Sequence, residues 1–110
     1  MERFGLSGSV IAKLGAVFAT IPGIHQVLVY GSRAKGNYKP GSDIDLTLVG
    51  DALDLRTLNQ IELAIDELNL PWKFDLSVMS AIQNPDLIDH IQRVGKVFFQ
   101  KSPISAAPTT

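Results

Sequence analysis

A chain of 110 residues with a net charge of −1 is sized for one domain and has no overall field to steer it onto nucleic acid or an anionic membrane. Its lack of cysteine excludes disulfides, thiolate catalysis and cysteine metal sites. Apolar and charged shares of 45% and 19% are those of a globular protein with one real core.

In chain order, Val10, Ile11, Leu14, Val17 and Phe18 recur at helical spacing. They predict a first helix capped by Ser7 or Ser9 and ended by Pro22-Gly23. Gln26 to Tyr30, QVLVY, reads as a short strand. The loop GSRAKGNYKPGS follows, with Arg33 to Lys35 as the opening of a helical turn. In Asp43 to Leu48, Ile44, Leu46 and Leu48 alternate with Asp43, Asp45 and Thr47, a strand with one greasy and one polar face. Leu58, Ile61, Ile65 and Leu68 mark a second helix with Asp54 as its N-cap. Trp72 to Val78 alternates again, Trp72, Phe74, Leu76 and Val78 against Lys73, Asp75 and Ser77. Asn84-Pro85 starts a third helix striped by Leu87, Ile88, Ile91 and Val94 and stopped by Gly95. Lys96 to Gln100 forms a last short strand.

The expected architecture is α+β: a small mixed β-sheet with helices packed on one face. Residues 1–100 make one domain, and 101–110, small, polar and Pro-containing, form a disordered tail. No apolar run reaches the ~18 residues of a membrane span, and MERFGLSGS lacks a signal-peptide pattern. A cytoplasmic location is the expectation.

Asp43 and Asp45 share one side of their strand, roughly 6–7 Å apart along it. Left alone they repel, and one tends to hold a proton. A divalent ion removes that conflict, and Mg²⁺ suits carboxylates that also carry a substrate phosphate. If the two amphipathic strands are neighbours, Asp75 joins from the same face. A two-metal site for in-line displacement then becomes possible. The upstream loop fits a polyphosphate. Gly31 lets backbone approach closely, N–H groups at the helix start attract an anion, and Ser32 adds a hydroxyl. Arg33, Lys35 and Lys39 supply cations. Ser42 is a candidate for the same nucleotide site, though it also suits a backbone bond before the strand.

Other readings of these residues fail or are bland. An EF-hand needs glycine where Leu48 stands. A Walker loop needs Lys-Ser/Thr where Asn37-Tyr38 follows Gly36. A DxD glycosyltransferase shares the metal logic but needs a far longer chain. His25 and His90 read as packing or solvent histidines, Trp72 as core or interface, and Tyr38 as an exposed loop residue that could stack on a base.

GSRAKG, then SDIDL, then KFDL together resemble the minimal nucleotidyltransferase (MNT) domain of the DNA polymerase β-like superfamily. The matching positions are Gly31, Ser32, Ala34, Gly36, Ser42, Asp43, Asp45, Leu46 and Asp75. The resemblance implies two Mg²⁺ ions, with Mn²⁺ as a substitute, held by Asp43, Asp45 and Asp75. Gly31 and Ser32 would hold the triphosphate, and Asp75 would take or orient the proton of the attacking hydroxyl. The reaction would place AMP from ATP on an acceptor and release pyrophosphate. Such proteins commonly pair with an all-helical HEPN protein. In many pairs HEPN is a toxin ribonuclease and MNT the antitoxin that adenylylates a HEPN tyrosine. In others the helical chain is a substrate-binding subunit. Two alternatives stand beside this: modification of a small molecule such as an aminoglycoside, and a non-catalytic, nucleotide-binding or neutralising partner. An intact acidic set argues against the latter. Neither nucleic acid nor membrane is an expected partner, and a homo- or hetero-oligomer is left open.

Overall fold

The computed structural model describes residues 2–101, so the expected tail lies, apart from Lys101, outside the described residues. The elements are α1 (Gly8–Ala19), β1 (Ile24–Tyr30), α2 (Ser32–Lys35), β2 (Ile44–Gly50), α3 (Leu55–Asp66), β3 (Phe74–Val78), a 3₁₀ turn (Met79–Ala81), α4 (Pro85–Val94) and β4 (Lys96–Gln100). Each longer helix starts where a side chain satisfies its free N–H groups. Ser7 accepts from the Val10 amide, Asp54 from that of Thr57, and Asn84 from those of Asp86 and Leu87. Pro85 occupies the first turn of α4, where its missing N–H is harmless. Gly95 ends α4 for a steric reason, since a β-carbon there would collide with the Ile91 carbonyl.

The strands are ordered β3-β2-β1-β4. β1 is antiparallel to both β2 and β4, whereas β2 and β3 run parallel. A parallel pair needs a crossover, which α3 supplies. Its Ile61 and Ile65 join Leu14 and Phe18 of α1 over Val27, Val29, Leu46 and Leu48. Leu46 is fully buried, and burial on that scale stabilises by roughly 1.5–3 kcal/mol.

The opposite face is not bare. Thr47 alternates with Leu46 and Leu48 and so points away from the core, yet it is fully buried. The Tyr30 ring, on that same side, meets His90 of α4 edge-on, 6.2 Å between ring centres. The expected small mixed sheet with packed helices is what the structure shows: α1 and α3 form the layer over the core, and α4 reaches Tyr30 at the end of β1 through His90. This helix covers the β1 side of the polar face and leaves the β3 side open. No described helix is long and apolar enough to cross a membrane.

Candidate active site

Strand register builds the acidic row. Tyr30 of β1 is opposite Asp45 of β2, and Asp45 is opposite Asp75 of β3. Directly opposed residues share a face, so the three project together from the side away from the core. Asp43 stands just before β2 and, with Lys73, Phe74 and Asp75, lines a cleft of about 240 Å³. The register thus brings Asp45 beside Asp75, and the cleft brings Asp43 to Asp75.

The electrostatics are those of crowded like charges. Burial pushes the Asp45 carboxyl above its ordinary range, and the charges of Asp75 and then Asp43 push it further, against a smaller opposing pull from His90. Among the described residues no three His, Asp or Glu side chains are already gathered as a metal cage. The donor set nevertheless suits one. It offers hard carboxylate oxygens from adjacent strands, and their mutual repulsion is what a divalent cation would relieve. Tyr30 is buried beneath the row. Desolvation raises its phenol above the usual range, a hydrogen bond with Ser77 works the other way, and Asp75 and Asp45 add to the rise. The Ser77 hydroxyl in turn donates to the Thr47 hydroxyl at 3.0 Å.

The glycine turn closes one end. Gly31 caps α2 at φ +72°, a region that disfavours side chains. A β-carbon there would also fall against Oδ2 of Asp45. Backbone at Gly31 is therefore in contact with the acidic row. Ser32 opens α2 half-buried, and Lys35 is exposed. The Gly31 amide donates to Nε2 of His90 at 3.3 Å.

Arg33 departs from its expected role as a phosphate ligand. It is 2% exposed. Nη1 donates to the Phe4 carbonyl at 3.0 Å, and Nη2 to the carbonyls of Pro40 (3.0 Å) and Ser42 (2.9 Å). Its guanidinium lies 4.6 Å from the Tyr38 ring centre and 5.8 Å from that of Trp72. A cation committed to three carbonyls and two aromatic faces shapes the loop leading to Asp43 and is withdrawn from the open face. Ser42 likewise shapes that loop, its hydroxyl accepting from the Lys39 amide at 2.9 Å. Lys39 itself is exposed. Tyr38 covers Arg33 instead of hanging free, and Trp72 donates to Pro40 at 3.0 Å. Tyr30 was not singled out in the sequence, and His90, read there as a packing or solvent histidine, both packs on Tyr30 and accepts from the Gly31 amide. Only a β1–β2 register could have raised Tyr30, and nothing local places α4 over β1. A larger groove of about 830 Å³ runs between α3 and β3 and shares Lys73 and Phe74 with the acidic cleft.

Residues 12–104 match the family model described as polymerase beta, nucleotidyltransferase. A relative from Haemophilus influenzae, a probable protein adenylyltransferase MntA, is 33% identical over 86 residues, 77% of this chain and 75% of the relative. Among solved structures, a toxin–antitoxin with AMP-PNP is 21% identical with a TM-score of 0.62, covering 89% of this chain and 77% of that one. A tri-AMPylated Shewanella oneidensis HEPN toxin in complex with MNT antitoxin is 17% identical at a TM-score of 0.61, covering 89% and 76%. These last two likenesses are of fold.

Proposed function

The chain belongs to the polymerase beta nucleotidyltransferase family and is a nucleotidyltransferase, and from that premise we propose that it transfers AMP from ATP, with Mg²⁺, to a hydroxyl of a HEPN-type helical protein, as the antitoxin of a pair. The observation that carries this reading is the opposition of Asp45 and Asp75 on the open face, with the Gly31 turn in contact with Asp45. AMP and the partner are supported by similarity to a protein named a probable protein adenylyltransferase and to an AMPylated HEPN toxin complex.

Asp43, Asp45 and Asp75 would hold the divalent ions, Mg²⁺ or Mn²⁺, whose chemistry there is to neutralise the triphosphate and the charge that builds in the transition state. The remaining work falls to the chain. Gly31, lacking a side chain, admits phosphate beside the acidic row. The Ser32 hydroxyl donates to a phosphate oxygen, and Lys35 offers a mobile cation. The acceptor oxygen bonds to the α-phosphorus while the bond to the departing pyrophosphate breaks in line. Asp75 takes or orients the acceptor's proton. With α4 over the β1 side, the acceptor approaches along β3, where the α3–β3 groove meets the cleft.

The test is co-expression with a HEPN-type protein and incubation with α-³²P-ATP. Label on the partner, dependent on Mg²⁺ and abolished by Asp75→Asn, is the expected result. A folded, ATP-binding preparation that leaves the partner unlabelled would refute the proposal.

A further inference from the structure

We propose that His90 is a positioning residue for the nucleotide, one that sets the phosphate turn by accepting the Gly31 amide proton. The inference rests on the nucleotide site proposed above and adds a residue to it from the far end of the chain.

Gly31 needs an outside anchor. Tyr30↔Asp45 is the last pair of the β1–β2 ladder, so the Gly31 amide falls just beyond it. As the residue that caps α2, Gly31 lends its carbonyl to that helix, where the Lys35 amide donates to it at 3.1 Å, but its own N–H points out of the helix. His90 Nε2 receives that N–H across 59 positions of sequence. An acceptor nitrogen carries no proton, so the neutral ring bears its proton on Nδ1.

The ring is itself held. It packs edge-on to Tyr30 at an interplanar angle of 79°, while the neighbouring Ile91 is the buried residue of α4. Packing is thus supplied by Ile91 and polarity by His90. With positive φ at Gly31 and Asp45 against its Cα, a small rotation of this peptide would redirect the amide and hydroxyl of Ser32. His90 acts on the substrate through Gly31 and touches no phosphate.

Two substitutions separate acceptor from ring. His90→Gln keeps an acceptor oxygen at about the reach of Nε2, and His90→Phe keeps the ring against Tyr30 but removes the acceptor. Affinity for Mg²⁺–ATP, KM, kcat and the Gly31 amide resonance are measured for each. Phe should weaken ATP affinity and raise KM about three- to tenfold, the range of one net hydrogen bond. It should also shift the Gly31 amide while changing kcat less than twofold. Gln should restore both the affinity and the resonance. If Phe leaves ATP affinity and the Gly31 amide unchanged, or if Gln fails as badly as Phe, the proposal is overturned. The wild type decides without any variant: ring nitrogen shifts of neutral His90 should place the proton on Nδ1, and a proton on Nε2 overturns the proposal. ATP affinity, the Gly31 amide resonance and the ring nitrogen shifts need no turnover. A wild type that binds ATP but transfers nothing refutes the transfer reading alone, and one that binds no ATP overturns both.

Discussion

Arg33→Lys keeps the charge and removes the fork, so it separates a clamp from a phosphate ligand. The guanidinium reaches three carbonyls, on Phe4, Pro40 and Ser42, at 2.9 to 3.0 Å. A lysine presents one nitrogen and cannot span both sides of that fork. Loss of two bonds to a charged group costs roughly 3–6 kcal/mol, at about 1.5–3 each. For a domain of this size that lowers the melting midpoint by roughly 12–25 °C. Circular dichroism on heating reads the midpoint, and ATP titration well below it reads the site. The expected result is a large fall in midpoint with ATP affinity within about threefold, one small fraction of a binding free energy. A midpoint within about 3 °C of wild type, together with tenfold or greater loss of ATP affinity, would return the guanidinium to the phosphate and refute the clamp.

Three further outcomes are expected. Asp45→Asn should abolish transfer and raise the melting midpoint at neutral pH. The folded state raises this carboxyl's pKa, so its ionisation destabilises the fold as pH climbs through the raised value. The variant's advantage should therefore vanish below the ordinary aspartate range, where both states are protonated; a gain that persists in acid would contradict this. Added Mg²⁺ should raise the wild-type midpoint and leave that of Asp45→Asn nearly unmoved, as calorimetry would read. Gly31→Ala should lose ATP binding and about 1–3 kcal/mol of stability, since its methyl meets both a positive φ and Oδ2 of Asp45; an unchanged denaturant midpoint would argue against that turn.

The alternation of Ile44, Leu46 and Leu48 with Asp45 and Thr47 was legible because period two reports faces directly. So were the caps at Asp54 and Asn84, and Ser7 as one of two candidates with Ser9, since caps act within three residues. Register was not legible. That Asp75 stands opposite Asp45 is a property of a parallel pairing bridged by α3, and no local signal sets it. Arg33 was misread for the same reason. Its loop looks like any solvated basic turn, and its burial depends on Phe4, 29 positions earlier, and on the rings of Tyr38 and Trp72. The hydrogen bond that ties α4 to the Gly31 turn joins residues 59 apart, beyond the reach of a helical stripe that specifies only which residues are apolar.

The most direct test of the acidic row is a crystal soaked with Mn²⁺ and a non-cleavable ATP analogue, read by anomalous scattering. A Mn²⁺ peak between the carboxylates of Asp45 and Asp75, with phosphate against Gly31 and Ser32, is the predicted result. Metal elsewhere, or phosphates lodged in the α3–β3 groove with the acidic row empty, would contradict it.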